Sequence, residues 1–257
     1  MQAVKADYGQ DAPGIRQGMI AVGAVGAVGW LGVLLEGDMF LSPTVAWIVK
    51  AICVLIAAYG FGMAAYMTWG SRVGKIQTCE RLLDELGHLR GWTGSETVID
   101  IGCGRGLMMI KAAKRLTTGK AIGVDIWRSS DQSGNSPEAT LRNAQIEGVA
   151  DRVLVKTGEA TKLPIDTASC DIVLSNWTVH NIEGQREQFE ALAEMWRVCR
   201  PGGLIVVSDI AGVADYLRYF SSLGAINTRF LDGGVEASIA NILSGGTYKP
   251  QAIMVVR

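Results

Sequence analysis

The chain has 257 residues, enough for one good-sized domain plus extra elements, and its formal net charge is −1. A near-neutral balance gives no basic stripe for a polyanion, so nucleic acid is excluded as an expected partner. Five cysteines (53, 79, 103, 170 and 199) without a C-x-x-C pair, and only two histidines, exclude a disulfide framework, a structural zinc site and a histidine metal cluster.

The mean hydropathy is positive, and its source is local. Residues 1–17 are polar and mixed. From Gly18 to Leu35 no charge occurs, and at the helical rise this stretch spans about 27 Å, close to the hydrocarbon thickness of a bilayer. Glu36, Gly37 and Asp38 stop it, and Pro43 is suited to open a second helix. The second run, 44–69, is apolar apart from Lys50, which snorkels. Arg72 and Lys75 close it. The reading is a membrane anchor over 1–74 with transmembrane helices at about 18–35 and 44–69. A cleaved signal peptide, or a buried pair of soluble helices, is the competing reading. Arg16 before the first span and Arg72 and Lys75 after the second place both termini in the cytoplasm. Glycines at 18, 23, 26, 29 and 32, with Ala58, Gly60, Gly62, Ala64 and Ala65, predict close helix packing, within the chain or between subunits of a homo-oligomer.

Residues 75–90 form an amphipathic helix with Ile76, Cys79, Leu82, Leu83, Leu86 and Leu89 on one side. It either covers a ligand pocket or packs on the sheet. Val98-Ile99-Asp100-Ile101 then reads as a buried parallel strand. Glycines follow at every second position, Gly102, Gly104 and Gly106, around Cys103 and Arg105, and a helical segment runs from Leu107 to Leu116. Strand, tight turn and helix start define the crevice where open α/β sheets bind nucleotide-like ligands. A dinucleotide fingerprint requires glycine at 107, where Leu107 stands.

Ala121 to Asp125 is a second strand ending in an acid, followed by apolar Ile126 and Trp127 and a polar loop over 128–135. Ser136 and Pro137 start a helix through Leu141, Ala144 and Ile146 to Gly148. Arg152–Lys156 is the third strand and Ile172–Leu174 the central one, left by Ser175-Asn176-Trp177-Thr178-Val179-His180-Asn181. A helix over Gln185–Cys199 stops at Arg200-Pro201-Gly202-Gly203. Leu204–Val207, Ala225–Leu231 and Ala252–Val256 complete the strands, with a helix over Val213–Leu223.

The run Asp100-x-Gly102-x-Gly104-x-Gly106, the acid Asp125 and the Arg200-Pro201-Gly202-Gly203 turn make residues 96–209 resemble the class I methyltransferases that use S-adenosylmethionine. The resemblance implies an α/β, Rossmann-like seven-stranded sheet with an antiparallel last strand and helices on both faces over 75–257, preceded by the two transmembrane helices. It implies donor binding by Asp100, Gly102, Cys103, Gly104 and Gly106. Asp125 is expected on the ribose hydroxyls, Ile126 and Trp127 on the adenine, and Gly158, Glu159 and Ala160 near the adenine amino group, with Ser175 and Asn176 at the end of the central strand. An Asn-Pro-Pro-Tyr motif is missing after that strand, which points away from nucleic acid and glutamine towards small molecules.

His180 is expected either to take a proton from the acceptor or only to bond a loop or line the donor pocket. Asp209 either faces the acceptor or is a solvated helix cap. The predicted protein is thus an integral-membrane methyltransferase, with a cytoplasmic catalytic domain and a small lipophilic acceptor offering O, N or S. Unclustered cysteines disfavour arsenite. A non-catalytic S-adenosylmethionine sensor and a nicotinamide-dependent oxidoreductase are the alternatives. The short tail leaves the acceptor lid to residues 1–17, helix 75–90 or the bilayer, so removal of 1–70 is expected to affect acceptor turnover more than donor affinity.

Overall fold

A computed structural model of the protein describes residues 4–231, 234–243 and 250–257. It comprises two compact units: residues 9–74 with 130–133, and residues 1–8, 75–129 and 134–257.

The first unit is a helical hairpin of α1 (Pro13–Phe40) and α2 (Pro43–Trp69), followed by a π-helical turn at Gly70–Gly74. Both helices are long and apolar enough to cross a membrane. Glycine decides how they meet. A Cβ on Gly60 would sit 2.3 Å from the Gly23 backbone nitrogen, and one on Gly26 would sit 2.5 Å from that of Ala57. Backbone therefore lies on backbone, which only a residue without a side chain permits. Gly18, Gly32 and Gly62 meet nothing within 4 Å and lie off this seam. The outward face is apolar: Leu35 and Trp47 are each 73% exposed.

The segment at residues 10–12 pairs within this unit with residues 130–133. Gln10 N–H donates to Ser133 Oγ (2.8 Å), and Ala12 N–H donates to the Asp131 carbonyl (3.1 Å). The polar loop expected over 128–135 thus has its middle in the hairpin unit.

In the second unit, α3 (Lys75–Arg90) precedes seven strands: β1 (Thr97–Ile101), β2 (Lys120–Asp125), β3 (Val153–Thr157), β4 (Cys170–Asn176), β5 (Cys199–Asp209), β6 (Ile226–Leu231) and β7 (Gln251–Val256). Their order is 3-2-1-4-5-7-6, with β7 antiparallel to both neighbours and the β3-β2-β1-β4-β5 pairs parallel. Helices α4 (Leu107–Ala113), α5 (Pro137–Ile146), α6 (Gln185–Val198), α7 (Val213–Ser222) and α8 (Gly234–Leu243) lie in the connections between strands, except that β3 runs to β4 through a loop. The strand period divides the core in two. Val98, Ile172, Leu174, Val206 and Met254 face α3, α4 and α5, while Ile99, Ile101, Val173, Ile205, Val207 and Ile253 face α6 and α7. Strands buried on both faces read as continuous apolar runs, as these do.

The expected elements recur within a few residues, and α8 is an addition. Helix α3 buries Cys79, Leu82, Leu83 and Leu86 in the same core as α4, whereas Leu89 is exposed. That is the sheet-packing role. In α5 the Ser136 Oγ accepts from Ala139 N–H (3.2 Å), an N-cap. Its buried face is polar as well as apolar: Thr140, Asn143 and Ala144 are buried and Leu141 is exposed.

Candidate functional site

The ends of β1, β2, β4 and β5 converge at one edge of the sheet, between strands whose connections leave on opposite faces. In such sheets this crevice is where ligands bind. The turn after β1 holds Gly102, Gly104 and Gly106 at φ of +71°, +53° and +85°, a region that strongly favours glycine. Gly102 has a second constraint, since a Cβ there would lie 2.1 Å from Thr178 Oγ1.

The turn is held from every side. Gly102 N–H (2.8 Å) and Cys103 N–H (3.2 Å) donate to the Val124 carbonyl at the end of β2. Gly104 N–H donates to Asp125 Oδ2 (2.8 Å), and Thr140 Oγ1 donates to the Gly104 carbonyl (2.7 Å). Asp100 is buried, with Oδ2 accepting from Met109 N–H in the first turn of α4 (2.9 Å). Burial, with a smaller contribution from the negative charge of Asp125, pushes its carboxyl up from 3.8 to about 7. Burial likewise raises the Cys103 thiol well above its ordinary value, so this cysteine is a packing group and not a thiolate.

Asp125 is almost buried. Its Oδ1 accepts from Trp127 N–H (2.6 Å) and from Asn135 Nδ2 (3.2 Å). Trp127 has φ of +62° and donates its indole N–H to Thr157 Oγ1 (2.8 Å), while Ile126 beside it is 47% exposed. Gly158 N–H bonds the Asp125 carbonyl (3.1 Å), which brings the 158–160 turn alongside. There Ala160 packs against the core and Glu159 is exposed.

The end of β4 carries Ser175 and Asn176. Ser175 pairs in register with Ile101 of β1 and Val207 of β5. Ser175 Oγ, Asn176 Oδ1 and Asn135 Oδ1 are buried and have no hydrogen-bond partner among the described residues. Buried polar atoms are normally satisfied, so three orphans at one sheet edge ask for a ligand. Two are amide oxygens, which need N–H or O–H donors from that ligand.

After β4, Thr178 Oγ1 reaches the Gly102 carbonyl (3.4 Å). Two residues on, His180 N–H donates to Asp209 Oδ2 (3.0 Å), and His180 Nδ1 lies 2.5 Å from Asp209 Oδ1. Asp209 has no exposed surface and also accepts from Ile210 N–H (2.8 Å). Asp209 is therefore not the solvated helix cap that was the other expectation: at the end of β5 it is enclosed and turned on His180. Near it, Tyr216 of α7 is buried, and its phenol is raised by burial and by the Asp209 charge.

Residues 99–207 match the family model described as a methyltransferase domain. Over these residues the chain carries a methyltransferase domain. This methyltransferase is 27% identical over 186 residues to the demethylmenaquinone methyltransferase of Roseiflexus castenholzii, covering 66% of this chain and 69% of that one. It is 30% identical over 122 residues to the arsenite methyltransferase of Halobacterium salinarum, covering 47% of this chain and 29% of the relative. Among solved structures, the geranyl diphosphate C-methyltransferase of Streptomyces coelicolor A3(2) superposes with a TM-score of 0.56 at 18% identity, over 72% of this chain and 80% of that one.

The residues present fit the donor of this class. S-adenosylmethionine offers an ammonium and ribose hydroxyls to the orphaned acceptors, and its sulfonium needs no phosphate cradle. Asn135, Thr140 and Asn143 join the crevice although the sequence did not single them out. Polar residues in a loop and on a helix look like a solvated face, and only Asn135 stood near a named residue.

Proposed function

We propose that the protein is an integral-membrane methyltransferase that moves the methyl group of S-adenosylmethionine to a small lipophilic acceptor at the cytoplasmic membrane face. One observation supports this reading above others. The segment leaving β4 touches the donor turn through Thr178 and, two residues later, carries an imidazole oriented by a buried carboxylate.

In this reading Asp125 and Asn135 hold the ribose, and Ser175 and Asn176 take the aminoacyl end. Asp100, Gly102, Cys103, Gly104 and Gly106 shape the turn beneath it, while Ile126, Trp127 and the 158–160 turn with Glu159 wall the adenine. When bound, the donor supplies a methyl group already activated on a sulfonium. The protein therefore has to align the acceptor and exclude water. His180 accepts the acceptor's proton at Nε2, since Nδ1 is engaged by Asp209. The acceptor heteroatom bonds the methyl carbon as the carbon–sulfur bond breaks and a neutral thioether leaves. Asp209 fixes the tautomer and stabilises the imidazolium.

The hydrophobic hairpin of α1 and α2 is the anchor. Arg16, Arg72 and Lys75 favour cytoplasmic termini. A lipophilic acceptor partitions into the same bilayer. The named activities of the relatives include a quinone precursor and arsenite. Cys79, Cys103, Cys170 and Cys199 are all buried and Cys53 lies in α2, so the quinone-like class fits better.

The test is methyl release from labelled donor by the full chain in native membranes, over lipophilic phenols, amines and thiols. Turnover of a phenol or another lipophilic acceptor is expected. Tight donor binding with no turnover across the panel would favour a sensor, and extraction by carbonate without detergent would remove the anchor.

A further inference from the structure

Residues 4–8, ahead of α1, are built into the catalytic unit. Asn143, on the buried face of α5, is 2% exposed and its amide makes three hydrogen bonds. Its Oδ1 accepts from Asp7 N–H (3.0 Å), and its Nδ2 donates to the Asp7 carbonyl (2.8 Å) and to the Arg105 carbonyl (2.9 Å). The side chain imitates a strand neighbour for residue 7 while holding the donor turn. Arg105 also pairs with the Asp7 carboxylate (3.0 Å), a more exposed contact of smaller weight.

Tyr8 seals the junction. It is 7% exposed, its hydroxyl donates to Glu147 Oε1 (3.2 Å), and the buried Lys75 Nζ donates to its carbonyl (2.7 Å). Less than one turn earlier on the same face of α5, Thr140 holds the Gly104 carbonyl. Two consecutive carbonyls of the turn are therefore fixed by α5, and the Arg105 link is shared with the N-terminal segment.

We propose that residues 4–8 are a strap that positions the donor turn, and that Asn143 is the positioning residue through which its docking sets the shape of Gly104–Gly106. The proposal rests on that turn being the donor site. It also changes an expectation: loss of the N-terminal residues weakens donor binding itself, not only acceptor turnover. Coupling is reciprocal, so the donor in turn tightens the strap.

Donor affinity is measured by calorimetry on the full chain in detergent, for wild type, Asn143→Ala, a deletion of residues 2–8, and the two combined. Each single change is expected to weaken S-adenosylmethionine binding roughly tenfold, within the usual range of coupling between sites. The combination should bind no worse than the weaker single variant, because both break one connection. Losses that multiply would overturn the strap, since independent damage to folding behaves that way. Hydrogen exchange on wild type avoids the deletion altogether. Saturating donor should slow the amides of residues 5–8, and should not do so in Asn143→Ala. Unchanged exchange in wild type overturns the proposal. Absence of any donor binding by wild type would instead overturn the donor site itself.

Discussion

Asp209 Oδ1 lies 2.5 Å from His180 Nδ1, and the carboxylate has no exposed surface while the imidazole keeps 22% of its own. A buried acceptor at one ring nitrogen leaves the other facing the partly open side. For a hydroxyl acceptor, His180→Ala should lower kcat by about 10²- to 10⁴-fold, the usual worth of a positioned base. Asp209→Asn should act in the same direction, because an amide can stabilise the wrong tautomer. Donor affinity should stay unchanged in both. Equal kcat in His180→Ala, measured at saturating acceptor, would assign the imidazole a structural role.

Asp125 joins the nucleoside crevice to the glycine turn, accepting from Gly104, Trp127 and Asn135. Asp125→Ala removes the expected ribose acceptors and releases the turn. Hydrogen bonds to a charged group contribute about 1.5–3 kcal/mol each. Calorimetry should show S-adenosylmethionine binding weakened at least tenfold, and retention of wild-type affinity would misplace the ribose.

Donor binding should depend on pH through Asp100. Its carboxyl lies at about 7 in the folded protein against 3.8 ordinarily. The folded state therefore holds the proton across that window, and stability from this group is greatest below 3.8 and falls as pH rises towards 7. A cationic donor favours the ionised form. Affinity should thus fall as pH drops below 7, with proton uptake reversed on binding. Titrations at pH 6 to 8 should show this slope in wild type and a flatter one in Asp100→Asn.

The helical hairpin can be tested without activity. A Cβ on Gly29 would lie 3.1 Å from Cys53 Sγ, within reach of an S–S bond of about 2.04 Å. Gly29→Cys should oxidise to an intramolecular cross-link, seen as a gel shift reversed by reductant. Adding Gly60→Leu, which would drive a side chain into the Gly23 backbone, should abolish it. Gly62→Leu, where nothing lies within 4 Å, should not. Cross-linking between chains in place of within them would make the seam intermolecular.

Much of this was legible from the residues alone. The strands that meet at the crevice are apolar on both faces, so their runs stand out, and Asp125 and Asp209 mark where two of them end. The turn announces itself because three residues with positive φ require glycine. Asn143 and Thr140 were not legible, since a polar residue that bonds a distant backbone carbonyl looks the same in sequence as one that bonds water. Helix α8 was missed because its apolar residues follow a glycine-rich approach that reads as loop. The His180–Asp209 pair lies between, with both residues named singly and their 29-residue separation closed only by the β4–β5 pairing.

The link between Asp7 and Asn143 spans 136 positions of chain. During synthesis residues 4–8 must wait, unengaged, until β1, β2 and α5 have been made, because α5 cannot present Asn143 before β1 and β2 support it. The hairpin that follows at once is complete long before then. The strap consequently docks well after the helices that follow it in the chain, and a nascent chain stalled before residue 143 should leave residues 4–8 open to protease.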